Sequence, residues 1–207
     1  MGYHSEYSQD AFVHSLLPKR NGIFVEFGAL DGLLHSNSLF FERECDWRGL
    51  LIEANPFVYH KLSQNRPLAQ TRCAAVFDRM GEIDFEVVRG GLLGWSGIVS
   101  QIEDEHWKRI SQNVRPEDHA PFRVPCVTLD YALKSAGITE IDYLSIDTEG
   151  SEQAILSVFP WADYRIHILQ VENNFGNAAL DEMIRAAGFR FIRRIGPDWI
   201  YCPASGS

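Results

Sequence analysis

The chain has 207 residues, 45% of them apolar and 23% charged, the balance of a globule that buries about 70% of its unfolded surface without disulfide or metal staples. Its formal charge of −9, from 28 acidic against 19 basic residues, argues against a nucleic-acid backbone as the main partner, and no run of Lys or Arg offsets it. The apolar runs are strand-sized, so no membrane span is expected. Cys45, Cys73, Cys126 and Cys202 stand apart with no C-x-x-C pair, and without a signal peptide at the start the expectation is reduced thiols in a cytoplasmic protein.

Helical periodicity over residues 8–17 places Phe12, Val13, Leu16 and Leu17 on one face, and Pro18 with Asn21-Gly22 stops it. Residues 23–27 are a buried strand, leading through Gly28-Ala29-Leu30-Asp31-Gly32 into a helix at 36–44. A second strand covers 49–53, and Pro56 opens a helix to about Asn65. Residues 72–77 read as a third strand and 83–89 as a fourth or a side hairpin. The glycine-rich stretch 90–97 reads as a mobile loop, followed by a polar helix at 101–112, turns at 115–121 and a strand at 122–127. Thr128 caps a helix at 129–136, the strand 141–146 leads to a helix at 151–158, and the strand 166–171 leads to a helix at 178–187 ended by Gly188. A hairpin of 189–195 and 199–202 closes the chain.

The alternation predicts an α/β fold: a doubly wound, mostly parallel sheet covered by helices, with a C-terminal antiparallel hairpin. Residues 1–207 read as one domain, with a lid-like insertion at about 90–125.

In such sheets ligands bind beyond the carboxyl ends of the strands. The turn after the first strand lacks the second glycine of G-x-G-x-x-G, and Asp31 stands where a pyrophosphate would sit. Glu26 and Asp31 at that corner, with Gly28 easing the turn, suit a ligand carrying an ammonium and a sulfonium, as S-adenosylmethionine (SAM) does; steric relief alone is the plainer reading of the glycines. Glu53 ends the second strand, where an acid accepts from both ribose hydroxyls, while Asn55 before Pro56 supplies the helix cap. Ala54 follows Glu53, Ala74-Ala75-Val76 offers small residues for a flat adenine, and Asp78 could accept from its amino group.

Asp147 closes the fourth principal strand, and the following Thr148-Glu149-Gly150-Ser151-Glu152 reads as a helix start in which Ser151 and Glu152 cap. Glu172-Asn173 ends the next strand. Asp147, Glu172 and Asn173 would meet on neighbouring edges as hard oxygen ligands suited to Mg²⁺; alternatively Asp147 hydrogen-bonds substrate directly and Glu172 is a buried acid.

Together these segments resemble the FkbM family of SAM-dependent methyltransferases, and the resemblance implies their Rossmann-like class I fold, a mostly parallel seven-stranded sheet with a C-terminal antiparallel hairpin and helices on both faces. The resemblance rests on Ser8-Gln9-Asp10, residues 25–32, Ser36-Asn37-Ser38, residues 51–56, Val127-Thr128-Leu129-Asp130 and Ile146-Asp147-Thr148-Glu149-Gly150-Ser151-Glu152. It implies O-methylation of a hydroxyl on a sugar, glycolipid, oligosaccharide or related natural product, and adds Gln9, Ser36, Asn37 and Asp147 to the cofactor site. The end of the fifth principal strand is also similar to the metal site of catechol O-methyltransferase-like enzymes, with Glu172 in place of an Asp and Gly150 in place of their lysine base.

An alcohol is a poor nucleophile at neutral pH, so a metal, a base or both are needed. The candidate bases are His106, His119, His35 and Glu149; His4, His14, His60 and His167 read as structural. Trp95, Trp107 and Phe175 are either walls against a sugar face or packing residues. The expected partner is a small-molecule or glycan acceptor, with no nucleic acid and a homo-oligomer left open. A non-catalytic scaffold of the same fold and an NAD-dependent oxidoreductase are the rival readings.

Overall fold

The computed structural model describes residues 2–102, 104–174 and 176–204. The chain lays down α1 (Gln9–Leu16), β1 (Ile23–Phe27), α2 (Leu39–Cys45), β2 (Arg48–Glu53), α3 (Pro56–Asn65), β3 (Gln70–Cys73), β4 (Ala75–Phe77), β5 (Gly81–Val88), β6 (Gly97–Ile98), α4 (Asp104–Asn113), β7 (His119–Thr128), α5 (Leu129–Ala136), β8 (Glu140–Ile146), α6 (Glu152–Ser157), β9 (Arg165–Glu172), α7 (Ala178–Ala186), β10 (Phe189–Ile195) and β11 (Asp198–Pro203).

Seven strands form the main sheet in the order β10-β11-β9-β8-β1-β2-β3. The pairs from β9 to β3 are parallel, and β11 lies antiparallel between β9 and β10, so the expected parallel sheet with a terminal antiparallel hairpin is present. Alternation along each strand divides the core between two faces. Phe24, Leu51, Tyr143 and Ile168 point toward α1, α2 and α3, meeting Val13, Phe41, Trp47 and Leu62. Val25, Phe27, Ile52 and Leu144 point the other way, against α5, α6 and α7 through Leu133, Ile155 and Ile184.

The expected third strand at 72–77 is two strands. Arg72 and Cys73 pair with β2, Ala74 donates its N–H to the Glu53 carbonyl at 3.2 Å, and Ala75–Phe77 then leaves to pair with β7. Since β2 ends at Glu53, the chain beyond Ala74 finds its backbone partners elsewhere. Elsewhere is a second sheet, β4-β7-β5-β6, with its own core of Phe77, Ile83, Phe85, Val124 and Cys126. Residues 90–125 therefore sit within a larger unit running from β4 to β7. The stretch 90–97 forms short 3-10 turns over Gly90–Trp95 and then β6.

The helix expected from residue 36 begins at Leu39, because Ser36, Asn37 and Ser38 are held by Glu26. Among the described residues no helix is long and apolar enough to cross a membrane, and the four cysteines are free.

Candidate active site

A cavity of about 390 Å³ opens at the carboxyl edge of β1, β2, β8 and β9. Its floor is set by close strand spacing at Gly28, where φ is +68° and a Cβ would lie 2.1 Å from the Asp147 carbonyl oxygen. Glycine alone lets β1 end this close to β8. The second sheet closes one side with Ala75, Val76, Phe85 and Ile98, and α4 contributes His106 and Arg109. The N-terminal Glu6, Tyr7 and Gln9 meet the turn Pro197-Asp198 on the other side, where Gln9 Nε2 donates to Asp198 Oδ2 at 2.6 Å.

Of the residues expected to hold a cofactor, Gln9, Gly28, Asn37, Glu53, Ala54, Ala75 and Asp147 line this cavity, whereas Glu26, Asp31 and Ser36 do not. Strand alternation explains Glu26: it points with Phe24 toward α2 and α3 instead of lying at the open edge. Its carboxylate accepts from Ser36 Oγ (3.1 Å), Asn37 N (2.8 Å), Ser38 N (3.2 Å) and Ser38 Oγ. Asp31 accepts from the N–H groups of Leu33 and Leu34, at 2.9 and 2.8 Å, and so holds its own turn. Asp78 pairs with Arg79 and is no part of the lining.

Sequence reading missed the residue that locks this corner, Arg66, which is fully buried at the end of α3. Its guanidinium donates to both Glu42 carboxylate oxygens (3.0 and 3.3 Å), to the Gly32 carbonyl and to the hydroxyls of Ser36 and Ser38. Glu26 and Arg66 thus grip residues 36–38 from both sides, and Asn37 is presented to the cavity with its Nδ2 on Ser145 Oγ. A lone arginine after a helix gives no sequence signal for this role, since its partners come from three separate segments.

Glu53 accepts from the N–H groups of Leu30 and Asn55, at 2.9 and 2.6 Å. Burial nevertheless dominates and pushes its pKa up to about 7, the backbone donors only partly offsetting it. Asp198 rises to about 6 through burial, moderated by the Gln9 amide.

At the opposite end of the cavity, Asp147, Glu149 and Glu172 each place a carboxylate oxygen within 4.8 Å of the others. Desolvation, then the neighbouring charge of Glu149, pushes Asp147 well above the usual carboxylate range; desolvation and then Asp147 do the same to Glu172. Glu149 rises to about 8 through desolvation and the charge of Glu152, with Arg109 pulling it down. The expected third ligand differs: Asn173 spends its amide on Asn177, accepting from the backbone N–H at 2.7 Å and donating to the carbonyl. That amide holds the start of α7, and Glu149 takes the position facing Asp147 and Glu172.

His106 is buried, with Nε2 2.9 Å from the Trp95 carbonyl and Nδ1 3.5 Å from Glu149 Oε2. A carbonyl only accepts, so Nε2 carries a hydrogen and Nδ1 is the nitrogen that faces Glu149. His119 lies outside the cavity, its Nδ1 2.6 Å from Glu86 at the far end of β7. His35 lines the rim and is exposed. Trp95 lines the cavity, Trp107 packs on the cluster of Val88, Ile102, Ile110 and Val114, and Phe175 lies outside the described residues.

Glu152 reaches back to Thr148 N and Oγ1, both at 2.8 Å, and to Gly150 N. Ser151, expected to cap α6, makes no cap: its buried Oγ has no hydrogen-bond partner, and the residue lines the cavity. Asn37 Oδ1 is likewise buried without a partner. With Asp198 Oδ1, also buried and unpartnered, three orphaned polar atoms and the Glu53 carboxylate line one cavity and fit a polar ligand with a ribose, since buried polar groups are otherwise satisfied. The three facing carboxylates fit a hard divalent cation.

Residues 26–191 match the methyltransferase FkbM domain family. Among solved structures, the fold is similar to precorrin-6y C5,15-methyltransferase from Geobacter metallireducens (8% identity over 94% of this chain and 86% of that one, TM-score 0.51). It is also similar to the METTL16 MTase domain (10% identity over 95% of this chain and 66% of that one, TM-score 0.52). At these identities the likeness is one of fold. No curated protein matches the sequence. With the match covering most of its length, the chain belongs to the FkbM family of SAM-dependent methyltransferases, built on the Rossmann-like class I fold.

Proposed function

We propose that the protein methylates a hydroxyl of a sugar, glycolipid, oligosaccharide or related natural product, using SAM and a divalent metal, with Mg²⁺ the first choice. One observation carries the reading: a single cavity joins Glu53 and the small residues Ala54, Ala75 and Val76 to the Asp147, Glu149, Glu172 and His106 group. The first set suits a nucleoside, and the second suits a hydroxyl that must lose a proton.

SAM supplies an electrophilic methyl on a sulfonium. Glu53 accepts from the ribose hydroxyls, Ala75 and Val76 flank the base, and Asn37 Oδ1 accepts from the ammonium. Gln9 orients Asp198 at the same rim. Asp147, Glu149 and Glu172 would hold the metal, which would lower the pKa of the acceptor hydroxyl and neutralise the alkoxide. His106, buried with its Nδ1 3.5 Å from Glu149 Oε2, is the base that takes the proton beside these carboxylates. Holding donor and acceptor in line, away from water, then supplies much of the rate.

Calorimetry with SAM, its demethylated product S-adenosylhomocysteine (SAH) and NAD tests the reading. SAM and SAH are expected to bind and NAD not; binding of NAD alone would defeat the methyltransferase function. Full methyl transfer in excess EDTA would remove the metal.

A further inference from the structure

A second cavity of about 450 Å³ lies between residues 100–101 and the starts of α6 and α7. It shares His106, Glu149, Glu172 and Asn174 with the first, so these four line both cavities where they adjoin. We propose that the methyl acceptor docks in this second cavity, and that the cavity selects an uncharged polyhydroxylated group over phosphorylated, carboxylated or aromatic ones. The inference rests on the methyl-transfer reading above.

The division of labour follows from the lining. Small and apolar residues flank Glu53 in the first cavity, whereas Ala154 and Leu180 are the apolar side chains among the described residues of the second. An aromatic acceptor would find little there to cover its faces. What dominates instead is side-chain amide and carboxylate. The Asn177 Nδ2 donates to Gln153 Oε1 at 2.7 Å, which leaves Gln153 Nε2 free to donate. Asn174, which lines both cavities, has no hydrogen-bond partner among the described residues. Donors from these amides beside acceptors on Glu149 and Glu172 match hydroxyls, each of which both donates and accepts.

Charge gives the selectivity. No lysine or arginine is among the described residues lining the second cavity, and Arg109 lines only the first. In the metal-free protein a phosphate or carboxylate entering it would surrender water with no side-chain cation in return. The floor is preformed: Gly150 has φ of +112°, and a Cβ there would lie 2.8 Å from the Gln101 carbonyl oxygen, so residues 100–101 rest directly on the turn that carries Glu149. The volume falls within the range of small-molecule sites, about 300–1,000 Å³.

The test uses the full chain saturated with SAH, in metal-free buffer, with methyl α-D-glucopyranoside and glucose 6-phosphate as probes. Saturation-transfer NMR titrations give the affinities, and crystals of the SAH complex soaked in the neutral sugar give its place. The neutral sugar is expected beside Asn174 and Gln153, bound at least about tenfold more tightly than the phosphate ester. Ser157 is exposed on the cavity wall, and Ser157→Phe is expected to weaken the sugar at least about tenfold while SAH affinity stays unchanged. Sugar absent from the second cavity, a phosphate ester bound as tightly, or a variant that keeps the sugar would overturn the proposal. Failure of the wild type to bind SAH would instead overturn the functional reading, so the two failures are distinguishable.

Discussion

Two groups of acids, one beneath α2 and α3 and one at the carboxyl edge of the sheet, differ in what surrounds them. Beneath α2 and α3, Glu26 takes hydrogen bonds from two serine hydroxyls and two backbone N–H groups, and Glu42 faces the guanidinium of Arg66. At the sheet edge, Asp147, Glu149 and Glu172 face one another, and their pKa values are all raised. The first group is satisfied and its product is shape: it fixes residues 36–38. The second is short of partners, and its product is a demand for a proton, a cation or a substrate hydroxyl. Acids at strand ends alike in sequence thus divide by whether donors meet them.

Removing the one cation of the satisfied group gives the largest expected change. Arg66→Ala leaves Glu42 buried and takes donors from Gly32, Ser36 and Ser38, so urea denaturation should show a loss of about 3–5 kcal/mol. SAH affinity should fall with it, because Asn37 loses its support, and Arg66→Lys should restore only part of both. A loss below about 1 kcal/mol would mean that the network is ornamental, with the comparison broken at its stronger end.

Glu53 stands between the two groups, with two backbone donors and a raised pKa. Its folded pKa of about 7 exceeds the unfolded carboxylate value of 4.5. The folded form therefore holds a proton that the unfolded form has lost, and stability falls as pH rises between those values. The cost reaches about 3 kcal/mol above pH 7. Glu53→Gln cannot ionise, but its amide faces two N–H groups with only one acceptor. The variant should melt below wild type at pH 5 and close the gap by pH 8. Parallel melting curves across that range would show that Glu53 is as well satisfied as Glu26.

Much of the frame is legible in the amino-acid sequence. The βα rhythm, the Asn55 cap on α3, the Thr128 cap on α5 and the terminal hairpin depend on local signals, and each is present. The break at Ala74 was hidden because 72–77 is one continuous apolar-rich run, and only the end of β2 forces the chain to change sheets. The site was legible in part for a related reason. Glu53 and Asp147 end their strands, and position alone puts them at the rim. Glu26 lies one residue before the end of β1, and strand alternation turns it inward. Asn173 resembles a ligand in sequence, but the start of α7 claims its amide, a contact with Asn177 that no motif announces. Arg66 could not be found by motif at all.

The crowded acids should respond in the opposite sense to Arg66. Asp147→Asn removes a carboxyl whose ionisation is disfavoured by desolvation and then by the charge of Glu149, so at pH 8 the variant should gain about 1–2 kcal/mol in urea denaturation. Because the folded pKa of Asp147 lies above the unfolded one, the gain should shrink toward pH 4. Added Mg²⁺ should raise the melting temperature of the wild type and not of the variant. A destabilised Asp147→Asn in metal-free buffer would place this cluster in the same class as Glu26.

The finest test concerns a single hydroxyl. Ser151 occupies the position before α6 where a serine ordinarily accepts from a backbone N–H, and losing such a cap costs about 1 kcal/mol. Here the backbone is already helical at Ser151, no cap is made, and Glu152 instead accepts from Thr148 and Gly150. An unpartnered buried hydroxyl contributes no hydrogen bond and carries its desolvation cost, so Ser151→Ala should be neutral or gain up to about 1 kcal/mol. If the hydroxyl serves the cavity it lines, SAH or acceptor affinity should drop several-fold in the same variant. Lost stability with unchanged affinity would return Ser151 to the helix, whereas retained stability with weakened binding would assign its hydroxyl to the ligand.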